Sequence, residues 1–516
     1  MMTEEASAYL NAKLLPEEWE ASYCTGNTTD TTTATNSSPS MNVTYLANTP
    51  VTLLADRDTY LATFTRAALA TTRTIQIMTC YLFTDDPAQH YILFDLLPYL
   101  VRTKGIKVQL LIDLLPMESA VMKSVLQETA AKDSRASFTR VSSVPHNISA
   151  TSFLAHLPPD AAAYTSPRRS FASPAHFLQA LLDQRILHIQ FWCARDAHAH
   201  YRIKNHAKCA IFDGTAVILG GSNLTPTVKS ATSDLDVFLA GADVVAPVTE
   251  TFMTLWQAMK RPSVVAPTLG DSTLSDPAAS AMNIPWSSEE ENKYHHLDGE
   301  NELMKLALKL ADDQGARVAT LRSTPSSAGE DIIYRYILEQ IRMAKKEVLI
   351  AMGHSCYAKS MAHVVADAVN RGVTVKILVN SLYSNDLRTG QQDLFQSLAY
   401  LLQIAPAAQV YATMAHHRND ETTTLLPEFL HGKFVVIDRV WCAVGSWNLW
   451  TRSAFHEIEH EALIHSEAIA IMLAEKLHRD QIAHTVLLDE SQCRDLTFRP
   501  KGCSMCCRFG PFFADC

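Results

Sequence analysis

The chain has 516 residues, 47% of them hydrophobic, and a formal net charge of −10. That size fits about two to four domains, and the apolar share is that of a globular chain with ample core. No run reaches ~18 uninterrupted apolar residues, which argues against a transmembrane helix, and the acidic balance disfavours nonspecific nucleic-acid binding, which needs Lys and Arg to neutralise phosphates.

The opening stretch MMTEEASAYLNAKLLPEEWE is acidic and has no apolar core, so no signal peptide is expected. The polar low-complexity run from Cys24 to Asn42 has too little apolar surface to offset its ordering entropy, and residues 1–48 are expected to form a disordered Ser/Thr-rich tail. The sequons at Asn27, Asn36, Asn42 and Asn147 matter only in a secreted chain. Eleven cysteines without a secretory signal read as reduced thiols of a cytoplasmic protein.

From Thr49 the pattern becomes regular. Leu61, Phe64 and Ala68 have helical spacing, and Thr74 to Phe83 is an apolar strand. A helical stretch and the turn glycine Gly105 lead into a second strand, Ile106 to Asp113. The order then recurs. Ile333, Ile337, Ile341 and Ala344 mark a helix, Glu347 to Gly353 a strand, then a helix, Gly372 and the strand Val373 to Asn380. Apolar runs separated by helices predict β-α-β units with mostly parallel, buried strands. The first copy carries an insertion within about Leu114 to Arg185, rich in Ser, Ala, Pro and Arg. Pro, Ser and acidic residues mark 263–299 as a linker. The expected division is a lobe at 49–262, a lobe at 300–490 and a Cys-rich tail at 491–516.

Each lobe contains the same chemical stretch. NHAKCAIFDGTAVILGGSN, Asn205 to Asn223, returns as LHGKFVVIDRVWCAVGSWN, Leu430 to Asn448, at a distance of 225 positions. Residues i and i+2 of a strand share a face, so His206 projects with Lys208 and His431 with Lys433. A two-residue hairpin loop, Gly214-Thr215 or Arg439-Val440, sets His206 opposite Asn223 and His431 opposite Asn448. An imidazole, an ammonium and a carboxamide suit a phosphodiester. Lys meets nonbridging oxygens, Asn donates to developing charge, and His attacks phosphorus or moves a proton. One copy supplies one imidazole, whereas in-line displacement needs a nucleophile and an acid on opposite sides. Two facing copies make one site, with no cofactor or metal expected. Aligning Ser230 with Ser453 aligns Asp234 with Glu457 and Asp236 with Glu459. Asp236 and Glu459 are assigned to orient the imidazoles, with Asp234 and Glu457 as alternatives.

The doubled pattern His-x-Lys-x4-Asp-x6-Gly-[Gly/Ser]-x-Asn resembles the phospholipase D superfamily with its two HKD motifs, and the flanking β-α-β pattern extends the resemblance over most of 49–480. The resemblance implies an α/β fold of two similar lobes about a pseudo-twofold axis, each a mixed, mostly parallel sheet flanked by helices. It also implies a covalent phosphohistidine, with His206 as nucleophile and His431 as acid and base. Asp213 and Asp438 look structural, holding a strand end or the lobe interface. The superfamily includes phospholipases, phosphatidyltransferases such as cardiolipin synthases, and nucleases. The acidic balance favours a phospholipid substrate at a membrane surface, with water or an alcohol or lipid acceptor, on a monomer holding both half-sites. A nuclease and a noncatalytic scaffold are the alternatives.

Three further features are weaker. His198, His200 and His206 would suit zinc but lack a clear carboxylate or thiolate partner. His295-His296 and His416-His417 read as loop residues. Cys503, Cys506 and Cys507 beside Phe509, Phe512 and Phe513 suggest an acylated tail and a peripheral membrane location, against the alternatives of a frayed tail or a metal half-site.

Overall fold

The structure is a computed structural model that describes residues 43–83, 86–113, 171, 174–184, 186–192, 194–195, 202–226, 234–259, 299–323, 332–353, 359–380, 388–413, 415–417, 425–427, 430–449, 453, 457–478 and 485–496. Residues 1–42 of the expected tail, most of the insertion (114–170), 263–298 of the expected linker and 497–516 of the expected Cys-rich tail lie outside these residues, as do the four sequon asparagines, His198, His200, His295, His296 and the three tail cysteines.

The first half begins with β1 (Leu46–Leu54), α1 (Arg57–Ala70) and β2 (Thr74–Thr79). Asp56 starts α1 by accepting from Thr59 N at 2.8 Å, which satisfies one of the orphan amides of the first turn. A helical run ends in α2 (Leu97–Lys104), which Gly105 stops at φ 69, a left-handed conformation open to glycine at no steric cost. Then come β3 (Lys107–Asp113), α3 (Pro174–Asp183), β4 (His188–Trp192), β5 (Ala194–Arg195), β6 (Arg202–Asn205), β7 (Cys209–Phe212), β8 (Ala216–Gly220), β9 (Asp236–Ala240) and α4 (Ala242–Met259). β2, β3 and β4 are parallel, β7 lies antiparallel on the other side of β2, and β8 and β9 continue antiparallel.

The second half comprises α5 (Gly299–Leu310), β10 (Asp313–Ser323), α6 (Ile332–Met343), β11 (Glu347–Met352), α7 (Lys359–Asn370), β12 (Thr374–Val379), α8 (Arg388–Ile404), β13 (Gln409–Thr413), β14 (Ala415–His417), β15 (Leu425–Pro427), β16 (Lys433–Ile437), β17 (Trp441–Gly445), β18 (Glu457–His465), α9 (Glu467–Lys476), β19 (Thr485–Leu488) and α10 (Glu490–Leu496). β11, β12 and β13 are parallel, β16 is antiparallel to β11, and β17 and β18 follow antiparallel. His416 and His417, expected in a loop, lie on β14, which pairs with β15.

One large mixed sheet joins the halves. β1 pairs with β9 on one side and β10 on the other, and β10 pairs with β18. The stretch expected as a tail contributes to this junction. β1 starts at Leu46, and Tyr45 accepts from Trp441 Nε1 at 2.8 Å and meets the Tyr336 hydroxyl at 2.9 Å.

Alternation along the strands explains the layers. On β7, Cys209 and Ile211 enter a central cluster, while Ala210 and Phe212 face a cluster with α1, α2 and α3. On β16, Phe434 and Val436 enter the same central cluster, while Val435 and Ile437 pack with α6, α7 and α8. The central cluster takes side chains from both halves, so the sheet is buried on both faces, as its nearly continuous apolar strands require. Leu303 and Ala307 of α5 pack into the core of the first half.

The hairpin register differs from the expected one by one residue. Phe212 pairs with Ala216 and Ile437 with Trp441, so each loop has three residues, Asp213 to Thr215 and Asp438 to Val440. The cause is the motif aspartate. Asp213 and Asp438 have φ 53 and 52, and the following Gly214 and Arg439 are also left-handed, at φ 71 and 59. This turn sends each carboxylate back to the start of the neighbouring parallel strand instead of spending the residue in the ladder.

Candidate active site

Asp213 accepts from the backbone amides of Thr72, Arg73 and Thr74 at 2.9, 2.8 and 2.8 Å. Asp438 accepts from those of Lys345, Lys346 and Glu347 at 2.9, 2.7 and 2.9 Å. Of the two structural places considered for these residues, strand end and lobe interface, both occupy the strand end, capping the entry to β2 and β11. These bonds fix each hairpin relative to the parallel strand beside it.

At the other end of each hairpin are the imidazoles and lysines, all buried or nearly so. Lys208 Nζ donates to His206 O at 2.7 Å, and Lys433 Nζ donates to His431 O. The residue before each histidine is clamped. Asp113, at the end of β3, accepts from Asn205 N at 2.6 Å. Asn380, just past β12, accepts from Leu430 N at 2.7 Å and donates to Leu430 O at 3.0 Å. Neither clamp was singled out from the sequence, although both residues end strands that periodicity had located.

The carboxylate partners cross between the halves. His206 Nδ1 lies 2.9 Å from Glu459 Oε1, and His431 Nδ1 lies 2.6 Å from Asp234 Oδ1. Of the two carboxylates assigned to orient the imidazoles, Glu459 lies beside one and Asp236 does not, and the alternative Asp234 lies beside the other. Asp236 instead accepts from the Ser222 hydroxyl and from Ser222 N, the latter at 3.1 Å. The serine-based alignment was in error by two residues. Gly220 lies opposite Asp236 and Gly445 opposite Glu461, so the 225-residue offset of the motif runs on unchanged. It pairs Asp234 with Glu459 and Asp236 with Glu461. Carrying that offset past Asn223 and Asn448 would have found the second partner.

Glu457 is a neighbour, not the principal partner, with Oε2 3.9 Å from His206 Nδ1 and 2.7 Å from the Ser453 hydroxyl that donates to it. Ser446 Oγ donates to Glu459 Oε2 at 2.5 Å. His206, Glu457 and Glu459 form a compact N/O cluster, and its internal hydrogen bond accounts for the approach. The carboxamide oxygens of Asn223 and Asn448 are buried without a hydrogen-bond partner. Gln89 Nε2 holds the Asn223 carbonyl at 2.7 Å, and Leu224 is forced to φ 63 immediately after it. Orphaned polar atoms and a left-handed leucine at one point are a strained arrangement of the kind found at functional sites.

Burial sets the electrostatics. It holds the His206 imidazole well below the ordinary histidine range, and the charges of Lys208, Lys204, Lys433 and His431 push the same way. Burial and Lys433 also lower His431, but Asp234 acts against them. Lys433 is pushed down to about 8 by burial and by Lys208. Glu459 is raised well above the carboxylate range by burial and Glu457, and Asp236 is raised to about 7 by burial and Asp234. A neutral His206 donating Nδ1–H to Glu459 leaves Nε2 with a free lone pair. The two half-sites act on one another, since the charge of Lys433 reaches His206 and that of Lys208 reaches His431. Backbone contact agrees, because a Cβ on Gly221 of the first half would sit 3.2 Å from His431 O.

Residues 337–481 match the family model described as the phospholipase D-like domain of cardiolipin synthase. This match supports the resemblance of the chain to the phospholipase D superfamily. An uncharacterized protein of Helicobacter pylori strain J99 is 25% identical over 309 residues, 55% of this chain and 60% of that protein. Cardiolipin synthase B of Salmonella typhi is 27% identical over 165 residues, 31% of this chain and 35% of the enzyme. The matched regions thus span less than two thirds of these relatives. The crystal structure of phosphatidylserine synthase from Haemophilus influenzae Rd KW20 superposes with a TM-score of 0.54 over 87% of this chain and 90% of that one, at 14% identity, and shows a shared fold. This phospholipase D fold is the mixed α/β arrangement described above. Among the described residues no helix is long and apolar enough to cross a membrane.

Proposed function

We propose that the protein is a metal-independent phospholipid phosphodiesterase of the phospholipase D type, acting by hydrolysis or phosphatidyl transfer. The observation that carries this reading is the crossed pair of contacts, His206 with Glu459 and His431 with Asp234, each beside a buried lysine. The names of the relatives supply the lipid class.

His206 Nε2 attacks phosphorus, a P–N bond forms, and the P–O bond to the leaving alcohol breaks. His431 gives that oxygen a proton, then takes one from the water or acceptor alcohol that displaces His206. The bound phosphodiester anion favours the protonated form of His431, which Asp234 also supports. Lys208 and Lys433 hold the nonbridging oxygens. Asn223 and Asn448 donate to charge developing on them, a contribution of about 3–4 kcal/mol per donor in comparable sites. In this reading the lobes 49–262 and 300–490 are related by a pseudo-twofold axis, and one monomer holds the complete site. Peripheral attachment through Cys503, Cys506 and Cys507 belongs to the same proposal.

The test is a panel of phosphatidylcholine, phosphatidylglycerol and single-stranded DNA, with and without a primary alcohol, in EDTA. Headgroup release, and a phosphatidylalcohol when alcohol is present, are expected. Cleavage of DNA beside inert lipids would instead identify a nuclease, and loss of lipid turnover in EDTA would refute metal independence.

A further inference from the structure

The matched offset exposes a mismatch. Lys204, two residues before His206, corresponds to Phe429, and Glu457, two before Glu459, corresponds to Thr232. One half-site therefore has an ion pair where the other half's sequence has no ionisable group. β6 places it, because β6 runs parallel to β18 with Lys204 paired to Glu457, and His206 N then donates to Ile458 O at 3.0 Å. Lys204 Nζ lies 3.7 Å from Glu457 Oε1, and Glu457 is only 4% exposed.

We infer that Lys204, anchored by Glu457, is the positioning residue that makes two matched half-sites unequal and keeps His206 as the nucleophile. The inference rests on the phosphodiesterase reading above. His206 faces the cations Lys204 and Lys208 from its own strand region, Lys433 and His431 from the opposite hairpin, and Glu457 and Glu459 from β18. The lysine of each motif acts on both imidazoles, so it cannot distinguish them. Lys204 stands two residues before His206 on the strand paired with β18, whereas the matched position before His431 is the uncharged Phe429, and the counter-charge on His431 Nδ1 is Asp234. A cation near His206 disfavours its protonation and preserves the lone pair needed for attack. Glu457 is shared between Lys204 and His206, so it holds the ammonium and moderates it.

The experiment is the pH dependence of kcat/KM for the full chain and for Lys204→Gln, Lys204→Arg and Glu457→Gln, each checked by thermal melting. Removing the cation makes His206 easier to protonate, so Lys204→Gln should fall about tenfold further below wild type at the acidic end than at neutral pH. Lys204→Arg should restore the wild-type limb. Glu457→Gln should move the limb in the opposite direction, a result that general disruption of the site does not give. Wild type quenched by alkaline denaturation, in which a P–N bond survives, should carry the phosphoryl adduct on the peptide containing His206. Superimposable acidic limbs for wild type and Lys204→Gln, or equal shifts in the Gln and Arg variants, would overturn the inference while leaving the phosphodiesterase reading intact. Wild type inert toward every phosphodiester in the panel would defeat that reading and this inference with it.

Discussion

His206 and His431 differ in surroundings, since only His206 has Lys204 and Glu457 beside it, but the chemistry proposed above needs both. Replacing either by Ala should lower kcat/KM by at least about 10²–10⁴-fold, the usual contribution of one acid–base group, without a comparable loss of melting temperature. Lys433 adds a pH signature. Its proton leaves at about 8, so kcat/KM should fall as pH rises through that value. In Lys433→Arg the guanidinium stays charged, and the alkaline limb should move to higher pH. The motif aspartates have a different task. Asp213→Ala leaves three backbone amides without their acceptor and should cost about 2–3 kcal/mol in urea unfolding. Burial opposes ionisation of Asp438, but the amides of Glu347, Lys345 and Lys346 outweigh it and hold the carboxyl below its ordinary range. Its stabilisation is present above the unfolded pKa and is lost as pH falls through the folded one. Asp438→Asn should accordingly show a smaller loss of stability on acidification than wild type.

The β-α-β elements were legible because their period is strong. The strands expected at Ile106 to Asp113 and Val373 to Asn380 are found at Lys107–Asp113 and Thr374–Val379. The hairpin loops were misjudged by one residue because Asp213-Gly214 satisfies a two-residue turn rule while Asp213 is diverted to cap β2. Glycines at the strand ends show how tightly these elements converge. A methyl group on Gly353, just past β11, would collide with the Leu430 carbonyl and the Asn380 amide, the pair that places His431. Gly353→Ala should therefore lower both stability and turnover, and Asn380→Ala should lower turnover with the smaller effect on melting.

The union of the halves was the least legible feature. Nothing in local periodicity says that β1, from a stretch read partly as tail, would lie between β9 and β10, because long-range pairing leaves no local mark. The crossing of carboxylates was recoverable from one number, the constant offset, and was lost when Ser230 and Ser453 were used as anchors. Crossing makes each half-site depend on the other half of the chain. Glu459→Gln should damage the chemistry of His206, and Asp234→Asn that of His431, although each substitution is in the opposite half. The decisive measurement is a crystal structure of the protein grown with orthovanadate. One vanadate should lie between the two imidazoles, bonded to Nε2 of His206, facing Nε2 of His431 and held by Lys208 and Lys433. Vanadate in separate cavities beside His206 and His431, or the two ring nitrogens too far apart to bracket one ion, would contradict a single site built from two halves.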